Sequence, residues 1–169
     1  MREIVRFSRV LVLIVGFVAA VGAGASAGAA TAAPSTLTAV DLGTLGGTFS
    51  SAGAVNDDGQ VVGNSTLVGD TSSHAFSWTR NGGMVDLGTL GGTSSGASAV
   101  NDDGQVVGDS FTAGDASVHA FSWTRKGGMV DLGTLGGTSS EAAAVNGEGQ
   151  VVGSSTLAGD AASHATLWR

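Results

Sequence analysis

A chain of 169 residues with 29 glycines, one proline, no cysteine and no tyrosine makes one modest domain or less, and it excludes cystine staples and thiolate metal sites. Fourteen acidic residues against seven basic ones, a formal net charge of -7, remove the electrostatic footprint of a nucleic-acid binder. With 42% hydrophobic and 12% charged residues the composition is too apolar for a disordered chain and points to a folded, turn-rich protein.

Residues 1–32 read as a signal peptide. Arg2, Arg6 and Arg9 form its positive end, and residues 10–21 form an apolar core that is short for a bilayer span. Ala27-Gly28-Ala29 and Ala30-Thr31-Ala32 offer cleavage sites. The alternative is an uncleaved anchor, in which case this leader is the chain's one contact with a membrane. No cysteine is present to carry lipid, and no paired arginine marks the twin-arginine route. Residues 33–37 are a short linker. From Ala33 onward four basic residues face thirteen acidic ones, so the exported protein is more acidic than its precursor. The expected address is secreted, extracellular.

Residues 38–169 are built from repeats. Asp41-Leu42-Gly43-Thr44-Leu45-Gly46-Gly47 recurs at Asp86 to Gly92 and at Asp131 to Gly137, a step of 45 residues each time. Asn56, Asn101 and Asn146 keep the same step. So do Gly59, Gly104 and Gly149, then His74, His119 and His164, then Trp78, Trp123 and Trp168. The first two copies agree at 35 of 45 positions. A fixed period of this length marks a supersecondary unit that stacks on its neighbours to bury its apolar face. We divide the domain into repeats 38–82, 83–127 and 128–169.

Within a unit the elements all read as strands. Met84 to Leu90 alternates, with Val85, Leu87 and Thr89 on one face, and Gly91-Gly92 breaks the run. Ala97 to Val100 is a short extended piece. Asn101-Asp102-Asp103-Gly104 is a turn in which Asn and Asp cap their own backbone and Gly supplies positive φ. Gln105 to Gly108 then returns as the partner strand of a hairpin. In His119-Ala120-Phe121-Ser122-Trp123 the His, Phe and Trp share one face, and the small residues leave the other free to lie close to another sheet.

The fold class is therefore all-β: three units of about four short antiparallel strands, each the size of one propeller blade. Three blades are fewer than the usual four to eight, and an open arc exposes its end sheets. Two chains pairing as a homodimer that closes the β arc, an arc with polar ends, or a threefold closure of β-prism or β-trefoil type would each solve this. Propeller-type packing ranks first and threefold closure second.

Asp-Leu-Gly-Thr-Leu-Gly-Gly, Ala-Val-Asn-x-x-Gly-Gln-Val-Val-Gly and His-Ala-Phe-x-Trp, in fixed order over residues 40–169, resemble the HAF-repeat family of bacterial extracellular repeat proteins. The third copy departs, with Thr166 in place of Phe and Asn146-Gly147-Glu148-Gly149 in place of the acidic pair. The resemblance implies an exported multi-copy repeat and transfers no catalytic residues.

The candidate chemistry is thin. The three histidines would be symmetry-related and invite a metal-site reading, yet no His-x-x-x-His spacing supports one. The structural reading pairs each ring within its own blade, with Asp70, Asp115 and Asp160 four residues earlier or with a backbone carbonyl. Asp57-Asp58 and Asp102-Asp103 offer oxygen ligands for calcium, but the alternating loop pattern is missing and the third copy has lost both. Gly92-Thr93-Ser94-Ser95-Gly96 matches a hydrolase elbow by pattern without the strand-turn-helix context. Asn64-Ser65-Thr66 is a single glycosylation sequon. The tryptophans suit either a small β core or a sugar-stacking surface. We expect no catalytic residue, no cofactor and no resident metal, and a role as a non-catalytic structural or interaction module for an unknown extracellular ligand or cell-surface component. The runner-up is a glycan-binding, lectin-like module, and a propeller-type hydrolase or lyase comes third.

Overall fold

The structure is a computed structural model that describes residues 37–169. The leader with its apolar core, and linker residues 33–36, lie outside the described residues. Eleven strands follow one another. Sheet I holds β1 (Gly46–Val55), β2 (Val61–Leu67), β3 (Ser73–Thr79) and β4 (Gly83–Asp86) in the order β1-β2-β3-β4. Sheet II repeats this as β5 (Gly91–Val100), β6 (Val106–Thr112), β7 (Val118–Thr124) and β8 (Gly128–Asp131). Sheet III has β9 (Gly136–Val145), β10 (Val151–Leu157) and β11 (Ser163–Trp168). The strands within each sheet pair antiparallel, with isolated parallel bridges at Leu45–Leu67, Leu90–Thr112 and Leu135–Leu157. A single parallel pair, Val118 with Ser139, joins sheets II and III into one seven-stranded path. The only helical piece among the described residues is a 3-10 turn, Ala113–Asp115, and no helix is long and apolar enough to cross a membrane.

The all-β expectation holds, with three corrections. Eleven strands form rather than twelve, because sheet III lacks a counterpart of β4 and β8 among the described residues. The sheets are open, and no closed barrel or threefold closure forms among the described residues. The third correction concerns frame. The Met84-Val85-Asp86 run was expected to open a unit, yet β4 pairs with β3 through Phe76–Asp86, Ser77–Val85 and Trp78–Met84, so it closes the preceding sheet. The break then falls at residues 87–90, and the Gly91-Gly92 pair expected to interrupt the chain begins β5 instead.

Local chemistry explains β7 well. Val118-His-Ala-Phe-Ser-Trp-Thr is rich in aromatic and β-branched residues. Alternation then sends neighbours to opposite faces. Val106 and Phe121 point toward sheet I, where they pack with Val62, Ala75, Leu87 and Ala97, while Val107 and Ala120 point toward sheet III and pack with Ala142 and Val151. All of these are 9% exposed or less. Sheet II is thus sandwiched, and sheets I and III pack on it rather than appreciably on one another. The hairpin turn behaves as its sequence says. Asn101 Oδ1 accepts from Gln105 N at 2.9 Å, Gly104 N donates to Asn101 O at 3.0 Å, and Gly104 takes φ 78°. Gly59 and Gly149 repeat this with φ 75° and 82°.

The edge strand β5, Gly-Gly-Thr-Ser-Ser-Gly-Ala-Ser-Ala-Val, has little strand propensity of its own. Buried serines hold it. Ser95 Oγ accepts from Ala75 N of sheet I at 2.8 Å and donates to Gly88 O at 2.6 Å, and Ser140 repeats both contacts with Ala120 N and Gly133 O. Ser65, Ser110 and Ser155, all 1% exposed or less, accept from Leu45, Leu90 and Leu135 N at 2.8 Å. Each hydroxyl satisfies a backbone group that the sheet ladders leave over.

Candidate functional site

The repeated polar residues are the natural suspects, and the fold gives each a partner. His74 Nδ1 lies 2.9 Å from Asp86 Oδ2, and His119 Nδ1 lies 2.8 Å from Asp131 Oδ2, each pair spanning adjacent strands of one sheet. The expected partners Asp70, Asp115 and Asp160 are therefore corrected. They sit in turns with φ of 55°, 55° and 54°, and each accepts a backbone N–H from the first strand of its own sheet, from Thr48, Thr93 and Thr138. Hydroxyl donation by Thr66, then the Thr48 N–H, holds the Asp70 carboxyl below the usual range. For Asp160 the Thr138 N–H leads, followed by the Thr156 hydroxyl. His164, at the exposed end of the same series, has no carboxylate partner among the described residues.

Asn56, Asn101 and Asn146 do more than cap their turns. Asn56 Nδ2 donates to Asn101 O at 2.9 Å, and Asn101 Nδ2 donates to Asn146 O at 2.9 Å, so the amides form a ladder from one unit to the next. Asp102 of the acidic pair beside Asn101 adds a further tie, since Asp57 N donates to Asp102 Oδ1 at 3.1 Å. Among the described residues no group of three or more His, Cys, Asp or Glu side chains is placed to hold a metal ion. The Gly92 to Gly96 elbow pattern lies inside β5 rather than at a strand-to-helix turn. Asn64 of the sequon donates from Nδ2 to Ser73 Oγ at 3.1 Å.

What remains open are the crevices between sheets. Trp123 packs against the core and also lines a cleft of about 270 Å3 with Asp58, Gln60, Asp102, Asp103 and Arg125. A neighbouring cleft of about 300 Å3 shares Trp123, Arg125, Ser77 and Thr79 with it. One unit on, Trp168 stands in the corresponding position with Gln105, Ser122, Asp131 and Arg169, around about 460 Å3. Trp123 and Trp168 are thus both core and surface. One side of the ring is packed, and another faces a cleft that offers carboxylates, a guanidinium and hydroxyls.

Sequence reasoning missed one feature. Asp109 and Glu141 line a cleft of about 540 Å3 between sheets II and III. Burial, and secondarily the charge of Glu141, push the Asp109 carboxyl up from its ordinary value. The signal was available as a difference between copies: Asn64, Asp109 and Ser154 occupy one repeat position, and Ser51, Gly96 and Glu141 another. A raised folded value means that stability is fully present below the ordinary carboxylate range and is lost as pH rises through the raised value. Asp109→Asn is therefore expected to melt higher than the native chain at neutral pH. Melting curves recorded from pH 4 to 7 should show the gap closing toward the acid end.

No family model, curated protein or solved structure matches the chain.

Proposed function

We propose that this is an exported, non-catalytic β-repeat module, akin to the HAF-repeat proteins its motifs resemble, that serves as a structural or interaction protein for an extracellular ligand or cell-surface component. The observation that carries the reading is the use of the repeated polar side chains inside the fold. Two of the three histidines are engaged by aspartates, the asparagines by turn and ladder, and the serines by backbone. No buried side-chain nitrogen or oxygen among the described residues lacks a hydrogen bond. The repeat therefore spends its chemistry on architecture. Recognition falls to the clefts and to the turns that rim them, where the copies differ and side chains face water. The acid balance of the chain argues against nucleic acid as the ligand. The test is a hydrolase and lyase screen of the purified protein. No specific turnover is expected, and turnover abolished by changing all three histidines would overturn the reading.

A second reading, glycan binding, is favoured by one arrangement. Trp123 converges with Asp58, Asp102, Asp103 and Arg125 on a single cleft, and Trp168 heads its counterpart. An indole stacks on the C–H face of a sugar while carboxylates and guanidinium bond its hydroxyls. On a glycan array, any sugar retained by the native chain is expected to bind Trp123→Ala about 10-fold or more weakly, a loss of ~1.4 kcal/mol or more. Binding unchanged by that substitution, or an array without a hit, would remove the glycan reading and leave the first one standing.

A further inference from the structure

We propose that a second copy of this chain docks head-to-tail on sheet III, laying its residues 39–41 along the outer edge of β11 and its β1 across the face that carries Val152 and Leu167. The inference goes beyond the cleft reading and does not depend on it. Its template is the junction that the molecule already makes twice.

The junction has a fixed register. From sheet I to sheet II, β4 pairs along β3, Asp86 takes His74, Leu87 N donates to Ala75 O at 2.9 Å, Ala75 N donates to Ser95 Oγ, and Asn56 Nδ2 donates to Asn101 O. From sheet II to sheet III every contact recurs 45 residues on, through Asp131 with His119, Leu132 N with Ala120 O, Ala120 N with Ser140 Oγ, and Asn101 Nδ2 with Asn146 O. Sheet III carries the receiving half again. His164, Ala165 and Asn146 stand at the same positions, and the outer edge of β11 has no neighbouring strand among the described residues. Val62 and Val107 are fully buried under the next unit, whereas their counterpart Val152 is 46% exposed.

The other end of the chain carries the donating half. Ala39-Val40-Asp41 matches Met84-Val85-Asp86 and Met129-Val130-Asp131, the middle residue and the aspartate being identical. Where those two segments form β4 and β8, residues 39–41 form no strand, and Val40 is 62% exposed. Ala97 and Ala142 are buried in the two junctions, but Ala52 of β1 is exposed. In the repeat register, Asp41 of one copy meets His164 of another, Leu42 N meets Ala165 O, Ser50 Oγ receives Ala165 N, and Val40 lies opposite Leu167. Sheets I and III sit on opposite sides of sheet II, which directs the match to a second copy rather than back onto the same chain.

One departure of the third copy strengthens the case. Sheet III carries Leu167 where the other sheets carry Ser77 and Ser122, directly paired with Val152 and 50% exposed. A unit meant to terminate a stack presents a polar outer face. At this position sheet III is more apolar than either of the covered sheets.

The test uses the full chain, in which any disulfide must be an introduced one because cysteine is absent. Val40→Cys and Leu167→Cys chains are mixed and mildly oxidised. The mixed cross-link is expected to exceed that of Leu167→Cys with Val68→Cys, a control in the turn after β2, by ~5-fold or more, since a disulfide forms only where Cα atoms lie within reach. Ala165→Pro removes the edge donor while leaving the β10 side of β11 intact, and it should reduce the cross-link by ~10-fold with the strand signal in circular dichroism unchanged. Equal yield with the control, a Leu167–Leu167 cross-link as the main product, or a purely intramolecular bond in the chain carrying both cysteines would each overturn the proposal.

Discussion

Gly108→Ala is expected to destabilise the domain by ~3 kcal/mol or more, because the added methyl meets backbone that has no way to retreat. A Cβ at Gly108 would collide with Gly96 O and lie 2.9 Å from Ala97 Cα. Both atoms belong to β5, which bulges beside this point between Ala97 and Ala99. The same approach recurs at Gly63 against Ser51 O and at Gly153 against Glu141 O. Gly96→Ala is the control, since a Cβ there meets nothing within 4 Å. Urea unfolding should show a large fall in midpoint for Gly108→Ala and a small change for Gly96→Ala. Equal effects would mean that strand propensity, rather than contact, sets the requirement.

Asn101→Ala is expected to remove about 2 kcal/mol, and the origin can be separated from a simple loss of packing. Asn101 is 7% exposed. Its Oδ1 satisfies Gln105 N, and its Nδ2 reaches across to Asn146 O. Truncation leaves the half-buried Gln105 N–H without its acceptor and cuts the tie between units. Asn101→Asp keeps the acceptor and replaces the donor with a second oxygen aimed at a carbonyl. The new carboxyl is disfavoured as an anion there, so its folded value rises, and stability is present at low pH and lost as pH increases through that value. Asn146→Ala makes a useful contrast, because Asn146 is exposed and its Nδ2 serves only Gln150 Oε1 among the described residues. Its loss should stay under about 1 kcal/mol. Thermal melts of the three variants at acid and neutral pH distinguish these outcomes.

The sequence made local pattern legible and left long-range pairing dark. His119-Ala120-Phe121-Ser122-Trp123 declared its two faces, and Phe121 and Ala120 do enter different cores. Asn101 to Gly104 declared its turn because the chemistry is contained within five residues. By contrast, which sheet receives Met84-Val85-Asp86 depends on an edge supplied by β3, and alternation in the segment is silent about that choice. The first strand of each sheet is the hardest to read. A run such as Gly-Gly-Thr-Ser-Ser-Gly-Ala-Ser looks like a loop until Ser95 is seen to hold Ala75 N and Gly88 O.

The clefts were equally hidden. Trp123, Asp58 and Arg125 lie on two different sheets, so only stacking brings them together. Asp109 and Glu141 were overlooked for a different reason: attention to identity between copies hides positions that matter by differing. Had Asn64, Asp109 and Ser154 been read as a series, the one carboxylate would have stood out.

The ties between units address main chain far more than side chain. Asn56 and Asn101 reach a carbonyl, and Ser95 and Ser140 receive an amide proton, and neither of these groups changes when the residue bearing it is substituted. A seam of this kind is indifferent to the identity of what it joins. Copies are free to drift apart, as the third has done at Thr166, Leu167 and Gly147, without loosening the stack. Gain or loss of one whole 45-residue copy would recreate the same seam wherever it fell, so the interior makes no demand for a particular number of units.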